Sequence, residues 1–189
     1  MEEEEAVEIK SIELNTVPKV FKSTVSKYGD RVSMRKKEYG LWHDISWNEY
    51  YKRAGYVGSA LISMGLEKGD CVSIIGDNCP EWIIADMGIQ CAGAVSVGVY
   101  ATNAWPQVEY VLNNSESKFF FVENEEQLDK WLKFKENVPQ LIRVIVWDTE
   151  GLRSFKDPMV MIFSELLELG RKVSAEQPGL FENRAEEVR

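Results

Sequence analysis

The sequence predicts an α/β fold, a mostly parallel sheet with helices on both faces. Residues 70–124 alternate strand, helix, strand, helix, strand with short connections, which is the rhythm of repeated β-α-β units. The strand-length runs Cys71-Val72-Ser73-Ile74-Ile75, Ala94-Val95-Ser96-Val97-Gly98-Val99 and Phe119-Phe120-Phe121-Val122 are almost continuously apolar. Antiparallel strands with one wet face alternate instead, so these read as strands covered on both sides.

Taken in order, residues 2–8 form an acidic tail whose like charges repel and offer nothing apolar to bury. A first helix is expected from Thr16, as its cap, to Gly29-Asp30, with Pro18 in the first turn and Val20, Phe21, Val25 and Tyr28 on its apolar side. Residues 31–37 and 41–45 read as a hairpin around Tyr39-Gly40. Ser46-Trp47-Asn48-Glu49 has the spacing of a capping box, in which serine and glutamate satisfy open backbone donors at a helix start. The helix behind it places Trp47, Tyr50, Ala54, Val57, Leu61 and Met64 at steps of three and four, a stripe suited to packing on a sheet. After the strand at 71–75, Pro80 opens a helix that is apolar nearly all round, through Trp82, Ile83, Ile84, Ala85, Met87, Ile89 and Cys91. A buried strand at 94–99, a helix at 106–113, a strand at 119–122, a helix near 125–135 and a strand at 141–147 follow. Beyond Trp147 the pattern weakens to an apolar patch at 159–163, a helix at 164–175 and the breaker Gln177-Pro178-Gly179. The chain thus divides into an acidic tail (1–15), a partial α/β domain (16–175) and a charged exit segment (176–189).

Composition excludes several functions. With 189 residues, 44% of them hydrophobic, one sizeable core is the expectation. A net charge of -9 with no basic stripe argues against nucleic acid, whose binding rests on Lys and Arg at phosphates. The start Met1-Glu2-Glu3-Glu4-Glu5 is the reverse of a secretory n-region, and no run reaches the roughly 18 to 20 apolar residues that cross a bilayer. Cys71, Cys79 and Cys91 match no zinc or redox spacing and read as reduced thiols of a cytoplasmic protein. Without an export signal, Asn113-Asn114-Ser115 reads as a chance glycosylation triplet.

Three stretches carry a family likeness: Gly76-Asp77-Asn78-Cys79-Pro80-Glu81-Trp82, the run Cys91-Ala92-Gly93-Ala94 continuing to Tyr100-Ala101-Thr102-Asn103, and Val108-Glu109-Tyr110-Val111-Leu112-Asn113-Asn114-Ser115-Glu116-Ser117-Lys118. Together with Ile45-Ser46-Trp47-Asn48-Glu49-Tyr50, and over about residues 16–146, they make the chain resemble the N-terminal part of the acyl-adenylate-forming enzymes, above all long-chain fatty acyl-CoA synthetases. The resemblance implies the N-terminal subdomain of that fold, incomplete. It also implies an activity for the intact family: a fatty acid carboxylate attacks the α-phosphate of magnesium-ATP, and coenzyme A then displaces AMP. The family's phosphate loop ending in Lys, its adenine and magnesium segment, its ribose-binding Asp and its C-terminal Lys cannot be placed on this sequence; Gly88 to Gly93 has the loop spacing but continues Ala94-Val95. The chain alone is therefore expected to bind no cofactor, and it carries no catalytic, cofactor-binding or metal-ligating assignment. ATP, magnesium, coenzyme A and fatty acid are implied for the full-length family, in which peripheral membrane association is compatible with a cytoplasmic location.

Among individual residues, His43 is the only histidine, and its spacing indicates no Ser, Cys or Asp partner. Asp77 and Asn78 follow a strand's carboxyl end, where open α/β sheets bind ligands, although Asp-Asn-x-Pro is also an ordinary turn and helix cap. Tyr100, Thr102 and Asn103 follow the next strand on the same sheet edge and, by the resemblance, border the acyl pocket. The rival expectation is a stand-alone, non-enzymatic module that binds a partner or nucleotide at this edge. Because half of a sheet system is expected to leave apolar surface uncovered, the chain is expected to self-associate.

Overall fold

The computed structural model describes residues 15–188, so the acidic run at 2–8 lies outside the described residues. Helix α1 (Val17–Tyr28) precedes the antiparallel hairpin of β1 (Val32–Glu38) and β2 (Leu41–Ser46). Next come α2 (Trp47–Ser63), β3 (Cys71–Ile75), α3 (Pro80–Cys91), β4 (Val95–Val99), α4 (Trp105–Asn114) and β5 (Phe119–Val122). Helix α5 (Glu125–Leu132), a short 3-10 turn at Lys135–Asn137, β6 (Arg143–Val146), β7 (Val160–Ile162), α6 (Phe163–Glu176) and α7 (Leu180–Glu186) complete the fold.

Strands β3 to β7 form one parallel sheet in the order β4-β3-β5-β6-β7. Two cores lie on its two faces. Phe119, Phe121, Val72, Ile74 and Ile145 join one core with α1, α2, α3, α6 and α7, while Phe120, Val122, Ile75, Val144 and Val146 join the other with α4 and α5. The three consecutive phenylalanines of β5 are all fully buried because alternate residues of a strand point to opposite faces and both faces are covered. Ser73, buried in the middle of β3, is satisfied by the Ser117 hydroxyl at 2.8 Å, which in turn meets Ser115 at 2.8 Å.

Local chemistry explains most boundaries. Tyr39 and Gly40 both have positive φ, as a two-residue hairpin turn requires. The Ser46 hydroxyl accepts the Glu49 N–H at 3.2 Å, but the other half of the expected capping box is not made: the Glu49 carboxylate pairs with Arg53 (2.7 Å) and Lys52 (3.5 Å). Thr16 sits at the cap position of α1 with its hydroxyl buried and unpartnered, so Pro18 and the seating of Phe21 on the Tyr50 ring, 4.6 Å between centroids, hold that helix. Glycines let the helices of the first core approach closely. A Cβ on Gly88 would meet the Ala54 carbonyl oxygen at 2.8 Å, and one on Gly170 would strike the Tyr56 carbonyl oxygen of α2 at 1.8 Å.

One expectation is corrected, and two segments gain a definite structure. The strand read as buried at 94–99 is the sheet's edge, with Val95 49% exposed and Gly98 exposed. Its apolar residues look like those of a central strand because helices α3 and α4 lie on either side, yet no strand pairs with its outer edge among the described residues. The apolar patch at 159–163 is the fifth strand, β7. The exit segment folds back as α7, whose Phe181 is only 3% exposed and rests against Gly55 and Gly58 of α2.

Candidate functional site

The chain leaves β3 for β4 on one side and returns to place β5 on the other, so the strand order reverses at β3. Open parallel sheets form their ligand crevice at this reversal, outside the carboxyl ends of the strands. A cavity of about 420 Å³ lies there, where Cys79 and Glu81 after β3, Glu123 after β5 and Trp147, Asp148 and Thr149 after β6 converge. The hairpin reaches over it with Lys36, Glu38 and Tyr39.

Gly76 shapes the crevice. Its φ is +154°, and a Cβ there would meet Trp147 Cζ2 at 2.6 Å and Glu123 Cβ at 2.7 Å, so the indole covers the bare backbone. Glu123 accepts the Asp77 N–H at 2.8 Å, tying the ends of β3 and β5 together. Lys36 donates to Glu81 at 2.7 Å and to Glu38 at 2.9 Å. Burial alone would lower the lysine's pKa, but these two carboxylates hold it well above the ordinary value. Burial pushes the Cys79 thiol up to about 11, so it is protonated at neutral pH. The crevice thus presents a paired ammonium, a protonated thiol and four acidic side chains, an arrangement with no activated nucleophile.

The residues singled out from sequence disperse. Asp77 and Asn78 stand exposed at the crevice's margin and line the cavity with neither side chain. Tyr100, 80% exposed, lies with Thr102 and Asn103 in the turn after β4, where Lys130 donates to the Ala101 carbonyl at 2.6 Å. His43 is exposed on β2, opposite Lys36. Glu123, Trp147 and Asp148 are not among the residues the sequence singles out, although Glu123 and Trp147 directly follow a strand and Asp148 stands two residues past one, as Asp77 does; that position was the available signal. Nothing local marks Lys36, because the hairpin's reach over the crevice is a tertiary event.

The acidic lining does not fit a magnesium-nucleotide. Among the described residues Lys36 is the one cation in the lining and is shared by Glu38 and Glu81, Glu81 Oε2 is buried without a partner, and Glu123 and Asp148 add further negative charge against a polyphosphate. Among the described residues no group of three His, Cys, Asp or Glu is placed to hold a metal ion, and no helix is long and apolar enough to cross a membrane. Cys71, Cys79 and Cys91 are free thiols.

Fold and crevice define a class, the open parallel α/β proteins with a crevice at the sheet's reversal. Comparison with known proteins narrows it: the profile of the AMP-binding enzyme family matches residues 21–161, and the chain belongs to that family. It is 36% identical over 162 residues to the long-chain-fatty-acid–CoA ligase ACSBG2 of Xenopus laevis, and 31% identical over 161 residues to ACSBG1 of Bos taurus. These matches cover 86% and 85% of this chain but 22% of each relative, so the chain spans about a fifth of their length. The fold is similar to an anthranilate CoA ligase solved with anthranoyl-AMP (TM-score 0.70, 19% identity, 80% of this chain and 27% of that one). It is also similar to a long-chain-fatty-acid CoA ligase described as putative from Rhodopseudomonas palustris (TM-score 0.68, 18% identity, 80% and 36%).

Proposed function

We propose that this chain is the N-terminal α/β portion of an ATP-dependent, AMP-forming long-chain fatty acid–CoA ligase, and that by itself it is a scaffold without ligase activity. The likeness to ACSBG2 across 86% of the chain carries the reading. The crevice chemistry supports the second half of it, since acidic walls and a neutralised lysine give no stabilisation to charge developing on a phosphate. Nucleotide, magnesium and coenzyme A then belong to sequence of the longer ligase outside the matched segment. Tyr100, Thr102 and Asn103, on the open edge after β4, border the acyl substrate once that sequence is in place. The whole works in the cytoplasm.

A second reading keeps a specific support. Both sheet faces are covered, and α7 closes over α2 and α3, so a stand-alone binding module is physically self-consistent. Purified chain supplied with magnesium-ATP, palmitate and coenzyme A tests the scaffold claim. No AMP or acyl-CoA above a heat-killed control is expected; equal amounts of both products would overturn it.

A further inference from the structure

Strand β4 leaves one backbone edge without a partner strand among the described residues, because the sheet runs β4-β3-β5-β6-β7 and β4 pairs only with β3. The Val95 N–H donates to the Asp70 carbonyl at 2.8 Å, and Val95, Val97 and Val99 stand opposite Cys71, Ser73 and Ile75. Along a strand the N–H and C=O of one residue point to the same side, and the side alternates from residue to residue, so the three valines turn their backbone groups to β3. Ser96 and Gly98 therefore aim theirs away from the sheet. The side chains divide as well. Val99 packs into the core with Val108 and Leu112 of α4, which puts Val95 and Val97 on that face, while Trp82 of α3 lies 3.9 Å from where a Cβ on Gly98 would stand, on the other. The edge Val95-Ser96-Val97-Gly98-Val99 reads nearly alike in both directions about Val97, and it carries no charge in a chain of net charge -9.

We infer that β4 is the interface of a closed dimer, in which a second copy of this chain adds its own β4 antiparallel about a two-fold axis through Val97. Of the symmetric registers, this one overlaps all five residues. It sets Ser96 opposite Gly98 of the second copy, and their outward N–H and C=O groups then bond one another, as the hydrogen-bonded pairs of an antiparallel ladder require. Val97 faces its own counterpart in a non-hydrogen-bonded pair, where side chains approach most closely. Val95, 49% exposed in the single chain, meets Val99 of the second copy, so one face of the junction becomes an unbroken valine ladder. An unrelated strand would have to supply that match, whereas a second copy carries it already. The two-fold uses the free β4 edge of both copies at once, so the contact closes and joins two five-stranded sheets into one. The dimer goes beyond the scaffold reading and lies apart from the crevice, whose lining includes no residue of β4.

Sedimentation velocity of the full chain over a wide concentration series tests this. A reversible monomer–dimer equilibrium with no larger species is expected. Ser96→Pro removes an outward N–H and leaves the bonds to β3 in place, so it is expected to keep the fold and to weaken the dimer about tenfold or more. Val97→Lys and Val97→Glu each set like charges across the axis and are expected to be monomeric alone, while an equimolar mixture of the two pairs again. Recovery on mixing is a result that a merely damaged strand would not give, and Ser96→Pro serves if the charged variants fail to fold. A parent that stays monomeric at every concentration, a dimer unweakened in folded Ser96→Pro, folded charge variants that stay apart on mixing, or open-ended growth past the dimer would overturn the assignment. Failure of the ligase reading would leave these measurements unaffected.

Discussion

Gly76 is where a single atom matters most to the crevice, because the space a Cβ needs is held by Trp147 and Glu123. Gly76→Ala is expected to cost about 1–3 kcal/mol and to move the indole, read as a lowered melting temperature with a changed Trp147 emission or ring NMR signal. An unchanged melt and unchanged spectra would mean the backbone is freer than drawn. Burial also sets the thiols: Cys91 is pushed up to about 12 and Cys79 to about 11. Each folded pKa lies above the unfolded one, so the uncharged form is the one the fold favours. Their contribution is complete below the ordinary thiol pKa of 9.0 and is lost as pH rises through about 11 and 12. Denaturant midpoints should hold from pH 7 to 8.5 and fall above pH 9, less steeply in Cys91→Ala; a flat profile to pH 11 would contradict this. Trp82 shows what pattern alone misses. A helix apolar all round suggests a fully buried indole, yet Trp82 leans half-exposed over Gly98, so Trp82→Ala should cost less than the roughly 3 to 5 kcal/mol of a core aromatic.

Among the elements, β4 carries the clearest consequence. Val95-Ser96-Val97-Gly98-Val99 has no charge, proline or bulge, the devices that usually blunt an edge strand. Its unpaired backbone is expected to recruit other copies, so light scattering should rise with concentration and fall when Val97→Lys is introduced. A strictly monomeric parent at high concentration would contradict that. The helical side is tight instead: Gly170→Ala would drive a methyl into the Tyr56 carbonyl and should part α6 from α2, read as a loss of several degrees in melting temperature. Much of this level was legible in the residues. The strands at 71–75 and 119–122, the hairpin turn at Tyr39-Gly40 and the proline-started helices follow from apolar runs, positive-φ needs and fixed proline φ. Strand order was not legible, since an apolar run reads the same at the centre of a sheet and at an edge flanked by helices. Neither was α7, whose single buried aromatic, Phe181, is outnumbered by its charges.

At the scale of the whole molecule, two cores lie on one parallel sheet with a crevice at its reversal, and the crevice walls are acidic. The position of the crevice was foreseeable from Asp77, just past a strand's carboxyl end; its lining was not, because Lys36, Glu123 and Trp147 meet only when hairpin and sheet pack together. The same packing separates Tyr100, Thr102 and Asn103 from it, on the edge that β4 leaves open. Belonging to a ligase family while spanning 22% of its relatives' length makes the central claim one of contribution, that these residues serve as the N-terminal scaffold of a long-chain ligase. The most direct measurement replaces the matched segment of the Xenopus laevis ligase with residues 16–175 of this chain and assays palmitoyl-CoA formation from palmitate, ATP and coenzyme A. The account predicts a folded chimera that forms AMP and palmitoyl-CoA in equal amounts. A chimera that melts cooperatively like the parent ligase yet makes neither product would contradict it.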